Sequence, residues 1–208
     1  MGRMDWGPGL AGVVILGYLL GSLPFGLWLV KATRGVDIRR YGSGNIGTTN
    51  VLRVAGPRVA AAVLLADAAK GWLPVVVARA AGLGEPAAVL AGVAAMAGHS
   101  WSIWLRGKGG KGVATGLGVL LGLDARVALA AFAVWIGVVA LSRYSSLGSM
   151  SAAVSVPLWM LLWHAPTAHL IFGGVAALVV LVRHRANIGR LLRGEELPIT
   201  LKIDPRGD

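Results

Sequence analysis

Small hydroxyl and amide side chains are concentrated with glycines in a polar stretch at residues 41–53. The glycines permit tight turns, so this short stretch can fold back around one ligand. Converging backbone N–H groups, hydroxyls, amides and a positive charge bind phosphate groups in proteins. The alternative is a solvated loop that ends in a helix cap. The candidate phosphate ligands are Ser43, Asn45, Thr49, Asn50 and Arg53.

A second glycine-rich stretch, residues 106–115, contains Gly109, Gly110, Lys111 and Gly112. It does not match a Walker nucleotide-binding loop, because Leu105 stands where that pattern needs a glycine and Gly112 where it needs Ser or Thr. A glycine cradle at the start of the following helix would still bind phosphate through N–H groups and the helix dipole, with Lys111 adding charge. The alternative is a loop that is basic only to fix membrane topology.

A third polar group follows the last apolar segment and contains His184, Asn187, Arg190 and Glu196. The spacing of His184 and Asn187 places both on one face of a helical turn. Glu196 follows Gly194 and can return to brace the cations. A basic helix attracted to anionic lipid is the alternative interpretation.

Two single residues are further candidates. His99 lies near the end of an apolar segment, where its imidazole could orient Ser43 or a substrate hydroxyl; a packed or interfacial histidine is the alternative. Ser149 could donate a hydrogen bond to a phosphate, or could serve as a helix cap.

The composition is that of an integral membrane protein. Hydrophobic residues make up 56% of the 208 residues, charged residues make up 14%, and the mean hydropathy is +0.71. The apolar runs are too long for barrel strands, so we predict an all-α bundle forming one domain over residues 1–208. The net charge of +11 lies in the loops, which excludes the basic face of a nucleic-acid-binding protein. The chain has no cysteine, which excludes disulfides and a cysteine thioester intermediate.

Seven apolar segments predict a seven-transmembrane-helix bundle, and the segment at 112–123 is the weakest because it is short and glycine-rich. A five-span bundle is the alternative. Lys and Arg collect after the first, third and fifth segments and in the tail, whereas the opposite side holds Arg3, Arg79 and Arg126. Because positive loops stay in the cytoplasm, we predict an external N-terminus and a cytoplasmic C-terminus. The segments span about 9–30, 57–80, 86–104, 112–123, 125–141, 147–164 and 167–183.

A charged pair lies inside the second of these segments. Asp67 and Lys70 are three residues apart, and each would be costly in lipid alone. We therefore predict that the two side chains pair inside the bundle.

Three motifs together resemble the PlsY family of acyl-phosphate:glycerol-3-phosphate acyltransferases. They are residues 42–53, Gly98-His99 with residues 109–115, and Asn187-Ile188 with Arg190-Leu191 and Glu196. The resemblance implies a multi-pass enzyme of the bacterial inner membrane with its active site facing the cytoplasm. It implies transfer of a fatty acyl group from acyl phosphate to the 1-hydroxyl of glycerol 3-phosphate, giving lysophosphatidic acid and phosphate. It also implies a setting in membrane lipid and a functional partner that makes acyl phosphate. We expect no fixed metal, since paired carboxylates are missing from the loops, and no cofactor or nucleic-acid partner.

The resemblance also implies roles for individual residues. Ser43, Thr49 and Arg53 match active-site positions, and Lys111 with residues 109–112 matches the phosphate-holding stretch. His184 and Asn187 match the third motif, supported by Ser149 and Glu196. The sequence departs from the family pattern at residues 104–106, where members often have phenylalanines.

Because phosphate on a mixed anhydride is already a good leaving group, the protein would contribute mainly alignment and charge neutralisation. We expect Arg53 and Lys111 to stabilise developing charge, and substrate phosphate, aided by Ser43 or His99, to accept the hydroxyl proton. One rival function is a phosphate or organophosphate transporter, which predicts inverted repeats and polar groups near the midplane. Another is a different lipid enzyme, but the His-x-x-x-x-Asp signature is absent from the sequence.

Overall fold

A computed structural model describes residues 7–205, and over this range the regular structure is helical. Each of the seven predicted apolar segments contains a helix, while Arg3 falls outside the described residues. Short 3₁₀ turns occupy Ile38–Arg40 and Ile103–Leu105. The helices are α1 Pro8–Ser22, α2 Phe25–Arg34, α3 Thr48–Ala55, α4 Pro57–Ala80, α5 Gly84–Ser100, α6 Val113–Leu123, α7 Ala125–Ser142, α8 Ser145–Leu162, α9 Thr167–Arg183 and α10 Arg185–Leu192.

Five stretches are long and apolar enough to cross a membrane: α1 with α2, α4, α5 with the following 3₁₀ turn, α7 and α8. A sixth is added if α9 and α10, which meet at an angle of 57°, are taken as one bent span. Helix α6 has 11 residues and is about 16 Å long, roughly half of a hydrocarbon core of about 30 Å. Helix α6 is therefore too short for a full crossing by length, and it corresponds to the segment that the sequence predicts to be the weakest.

The first apolar segment is broken where Pro24 separates α1 from α2. Carbonyl groups before a proline lose their helical partners, and other elements replace them here. Ser102 Oγ donates to the Ser22 carbonyl oxygen at 2.6 Å, and Lys70 Nζ donates to the Leu23 carbonyl oxygen at 2.7 Å. The break therefore fixes the direction in which α2 leads the chain to the first polar stretch.

Helix packing depends on close backbone approach. A Cβ atom at Gly21 would overlap the Ala95 carbonyl oxygen of α5, and a Cβ atom at Gly118 would overlap the Ala68 carbonyl oxygen of α4. Small residues at such crossings let membrane helices gain van der Waals contact where no hydrophobic force drives them together. This packing joins α1 to α5 and α6 to α4.

The predicted Asp67–Lys70 pair is confirmed. Lys70 Nζ lies 2.7 Å from Asp67 Oδ1, and the two residues are 4% and 2% exposed. Each charge would be costly alone in an apolar interior, so the contact between them allows both side chains of α4 to lie inside the bundle.

The two ends of the bundle differ. We call the end that carries residues 35–56, 101–112 and 184–205 the site end, and the opposite end, with residues 81–83 and 163–166, the far end. At the far end Arg79 of α4 contacts Glu85 of α5 at 2.8 Å and donates to the carbonyl oxygen of Leu123 at 3.0 Å. His169 Nε2 of α9 lies 2.7 Å from the same Glu85 carboxylate. Four helices are thus joined there by one network.

Candidate active site

A cavity opens at the site end, between α3, α6, α8, α9 and the chain that follows α10. It brings together side chains from all three polar groups, which lie far apart in the sequence. The predicted residues that line it are Ser43, Asn45, Thr49, Asn50, Arg53, His99, Lys111, Gly112, Ser149, His184, Asn187 and Glu196.

Asn50 organises the first polar stretch. Its buried side chain accepts a hydrogen bond from the Ser43 N–H at 3.0 Å and donates to the carbonyl oxygens of Tyr41 at 3.0 Å and Asn45 at 2.9 Å. Gly42 has a φ of +59°, and a Cβ atom there would overlap Asn50 Oδ1. These contacts show that Asn50 shapes the loop. Its side chain also lines the cavity, so substrate binding by Asn50 stays a prediction.

Ser43, Asn45 and Thr49 keep positions on the cavity wall. Asn45 Oδ1 accepts from the Gly47 N–H at 2.8 Å, which sets the turn before α3. Thr49 Oγ1 lies 2.8 Å from Ser145 Oγ of α8. Ser145 was not predicted as a site residue, and its place at the start of an apolar segment gives no signal beyond a helix cap.

Gly109 and Gly110 do not form the predicted cradle. Their N–H groups donate to the carbonyl oxygens of Ser100 and His99 at 3.2 and 2.9 Å, so they are not available to a ligand. Their own carbonyl oxygens accept from the Arg183 guanidinium at 2.8 and 3.0 Å. A Cβ atom on either glycine would overlap His99, which explains why glycine is needed. We therefore correct their role from ligand binding to close packing against His99.

The part of the second stretch that faces the cavity begins at Lys111. Gly112 precedes α6 with a φ of +80°, a left-handed conformation that suits glycine. Residues 111–114 line the cavity, and the first-turn N–H groups of a helix have no acceptor within that helix. The first-turn N–H groups of α6 therefore border the cavity, where the sequence predicts that they bind phosphate.

Lys111 belongs to a chain of polar contacts that reaches the third group. Lys111 Nζ donates to Asn187 Oδ1 at 2.5 Å, and Asn187 Nδ2 donates to Glu196 Oε1 at 2.6 Å. Arg190 Nε contacts the other Glu196 oxygen at 2.7 Å. The prediction that the chain after Gly194 returns and lets Glu196 contact cationic groups is therefore confirmed.

The electrostatics of the polar contacts among Lys111, Asn187, Glu196 and Arg190 favour a bound anion. Burial lowers the pKa of Lys111 to about 8, with the nearby Glu196 opposing the shift and Arg190, Arg53 and Arg183 adding to it. Burial raises the pKa of Glu196, but its hydrogen bonds from Asn187 and Arg190 outweigh that effect and leave the pKa below its ordinary value. Glu196 therefore stays ionised, and the surrounding cations still exceed it in charge.

The two histidines are held differently. His184 Nδ1 lies 2.8 Å from the Val180 carbonyl oxygen, so Nδ1 carries the proton of the neutral ring and Nε2 is left as an acceptor. His99 is buried, its ring packs against Gly110, and its Nδ1 lies 3.8 Å from Asp67 Oδ1. Both side chains line the cavity, so both can face a bound substrate.

Arg53 is 6% exposed and is held from behind by the C-terminal chain. Its Nε donates to the Pro198 carbonyl oxygen at 3.1 Å and its Nη2 to the Leu197 carbonyl oxygen at 2.8 Å. Burial lowers the pKa of its guanidinium, which nonetheless remains charged at neutral pH. No residue type in the sequence indicates these carbonyl partners.

Arg183 is a further site residue that sequence reasoning missed. It binds the carbonyl oxygens of Gly109 and Gly110, and its guanidinium lies 5.8 Å from the centre of the Trp101 ring. As a basic residue at the end of an apolar segment, it is indistinguishable in sequence from a topology signal.

The opposite wall of the cavity is apolar. Ser149 lies between the polar and the apolar parts of the cavity wall. Its Oγ donates to the Ser145 carbonyl oxygen at 2.8 Å. Beyond it the lining side chains come from α6, α7, α8 and α9, and the outer faces of α7 and α8 expose large apolar residues such as Leu129 and Leu158. A molecule with a charged head and a long apolar tail would fit such a cavity. The apolar lining includes Leu117, Leu120, Phe132, Trp135, Val156 and Val180.

The fold and the cavity define a helical membrane protein whose site combines excess positive charge with an apolar channel. A family model described as glycerol-3-phosphate acyltransferase matches residues 11–194. The chain therefore belongs to the glycerol-3-phosphate acyltransferase family.

Individual relatives agree. The glycerol-3-phosphate acyltransferase of Synechococcus sp. strain CC9902 is 48% identical over 184 residues, which cover 88% of this chain and 92% of the relative. The crystal structure of PlsY, an integral membrane glycerol 3-phosphate acyltransferase, in its glycerol 3-phosphate form superposes with a TM-score of 0.86. The two chains are 39% identical, and the match covers 91% of this chain and 94% of that one. The lysophosphatidic acid form of PlsY gives a TM-score of 0.85 at 38% identity, with the same coverage of each chain.

Proposed function

We propose that this chain transfers a fatty acyl group from acyl phosphate to the 1-hydroxyl of glycerol 3-phosphate, giving 1-acyl-glycerol 3-phosphate and inorganic phosphate. Family membership supports acylation of glycerol 3-phosphate. The observation that carries the donor and product is the joined cavity, which has a cationic end for phosphate groups and an apolar channel for the acyl chain. The forms in which PlsY was crystallised, with glycerol 3-phosphate and with lysophosphatidic acid, agree with it.

In the proposed reaction the 1-hydroxyl oxygen of glycerol 3-phosphate attacks the acyl carbonyl carbon. A carbon–oxygen ester bond forms, and the bond between the acyl carbon and the phosphate oxygen breaks. The phosphate leaves with the electron pair, and the hydroxyl proton passes to substrate phosphate, aided by Ser43 or His99. The balance needs no further reactant.

The cations and donors of the cavity would lower the barrier. Arg53, Lys111 and the first turn of α6 neutralise charge on the two phosphates, and charge stabilisation of this kind is often the largest catalytic contribution. Asn187 holds Lys111, and His184 Nε2 can accept a hydrogen bond from a substrate hydroxyl. The apolar channel aligns the acyl carbonyl beside the hydroxyl.

We propose a seven-crossing topology with an external N-terminus, a cytoplasmic C-terminus and the cavity facing the cytoplasm of a bacterial inner membrane. Arg79, Glu85, Leu123 and His169 meet at the far end, as expected if α4, α5 and α9 each run from one end to the other and α6 ends at the far end. Basic residues concentrate at the site end, as cytoplasmic loops require. A cytoplasmic site would receive acyl phosphate from the enzyme that makes it.

The donor can be tested with purified protein and labelled glycerol 3-phosphate. We expect labelled lysophosphatidic acid with acyl phosphate, and none with acyl-CoA or acyl carrier protein of the same chain length. Lys111→Met is the control variant: it should lose the transfer from acyl phosphate if the reaction depends on this site. Product formed from acyl-CoA at a rate equal to that from acyl phosphate would contradict the proposed donor.

A further inference from the structure

The chain beyond the family match returns across the site. The match ends at residue 194, and we call residues 197–203 the C-terminal strap. The Ile199 N–H donates to the Arg143 carbonyl oxygen at 2.8 Å, and the Ile203 N–H donates to the Arg53 carbonyl oxygen at 2.9 Å. The strap is therefore attached both to the loop before α8 and to α3.

Ile203 anchors the strap to the first polar stretch. Its partly buried side chain packs against the apolar cluster that includes Ile38, Val51 and Val54. Its Cδ1 is also close to Gly42, where a Cβ atom would come within 2.9 Å. A hydrophobic contact and a backbone hydrogen bond thus fix the same residue, and they hold the strap over α3.

The strap supplies the acceptors that orient Arg53. A guanidinium has five N–H donors in a fixed plane. The Pro198 and Leu197 carbonyl oxygens occupy Nε and Nη2, and they leave the Nη1 nitrogen free of the strap. Because Arg53 also lines the cavity, two bonds from behind set the plane in which its remaining donors meet a ligand.

We propose that Leu197 and Pro198 are positioning residues, whose main-chain carbonyls hold Arg53 in place to bind a substrate phosphate. This inference rests on the proposed function only in assigning a phosphate to Arg53. It places a determinant of substrate affinity beyond residue 194, where the match to the family model ends. A strap that merely covered the protein would affect stability and leave substrate affinity unchanged.

The test compares three forms of the purified protein. The first ends at Glu196 and lacks the strap, the second ends at Asp204 and keeps it, and the third is full-length Ile203→Asp. In the chain that ends at Glu196 and in Ile203→Asp we expect the KM for glycerol 3-phosphate to rise about tenfold, and kcat to fall as well because Arg53 also neutralises charge in the transition state. The chain that ends at Asp204 should match the intact protein. Calorimetric binding of glycerol 3-phosphate gives a second readout that does not depend on the acyl donor.

A double-variant measurement separates positioning from general damage. If the strap acts through Arg53, then Ile203→Asp should add less than about twofold to the KM of Arg53→Ala. An unchanged affinity in Ile203→Asp, or losses that multiply in the double variant, would overturn the proposal. Intact protein that binds glycerol 3-phosphate but does not use acyl phosphate would instead contradict the proposed donor and leave this test in force.

Discussion

The two ends of the bundle use the same kinds of charged side chain in different ways. At the far end Arg79 is shared between the Glu85 carboxylate and the carbonyl oxygens of Gly122 and Leu123. His169 meets the same carboxylate from α9. Each cation there has its acceptors within the protein, so the network ties helices together.

At the site end the cations outnumber the carboxylates. Arg53, Lys111 and Arg190 surround one buried carboxylate, that of Glu196. Burial lowers the pKa of Lys111 to about 8, which indicates that the protein itself does not fully stabilise this charge. We therefore expect the incompletely balanced cation beside the cavity to bind an anionic ligand, and the balanced network at the far end to be structural.

The largest expected difference between the ends comes from removing one cation at each. Lys111→Met should lower kcat/KM about 100-fold to 1000-fold, because a charge that faces both phosphates is lost. Arg79→Met should leave kcat/KM within about twofold and reduce stability by about 1–2 kcal/mol through lost charged hydrogen bonds. Steady-state kinetics and thermal unfolding of the two variants in detergent measure both effects.

This pair of variants can also break the comparison. If Arg79→Met lost activity as strongly as Lys111→Met while remaining folded, the far end would be coupled to catalysis, and its description as structural would be wrong.

A matched change of carboxylate sharpens the comparison at a smaller scale. Glu196→Gln keeps the shape of the side chain but removes the charge that supports Asn187 and Arg190, so we expect kcat/KM to fall about tenfold. Glu85→Gln makes the same change at the far end and should alter only the unfolding temperature. Equal activity losses in the two variants would show that net charge matters, and that the local geometry of Glu196 does not.

The helical fold follows from the sequence because long apolar runs are local features. The three polar groups are predicted to lie on one side because Lys and Arg collect in the loops that contain them. The roles within the site depend on tertiary contacts. Asn50 and Gly109 carry the composition of a ligand site, yet both are used inside the protein. A pattern can show that donors are present, but only packing decides whether they face the cavity or the backbone.

Other parts could not be predicted for related reasons. The carbonyl groups that hold Arg53 come from Leu197 and Pro198, and a main-chain acceptor leaves no residue-type signature. The contact between Glu85 and His169 joins residues that lie 84 positions apart in the sequence, and no periodicity connects them. Long-range hydrogen bonds of this kind are set by helix placement, which composition does not determine.

The smallest expected effect is in the pH dependence, and it tests the charge balance of the site end directly. The folded pKa of Lys111 is lowered to about 8, so the lysine is charged below that pH and loses its charge above it. If the charged form binds phosphate, kcat/KM should fall about fourfold between pH 7 and pH 8.5, since that ratio reports the free enzyme. Stability should change in the opposite direction. Between a pH of about 8 and the ordinary lysine pKa the unfolded chain binds more protons than the folded one, so this group adds stability as the pH rises.

Two variants serve as controls for the pH dependence. Lys111→Arg should abolish the fall in kcat/KM, and Arg79→Met should preserve it. A fall that persists unchanged in Lys111→Arg would assign the titration to another group.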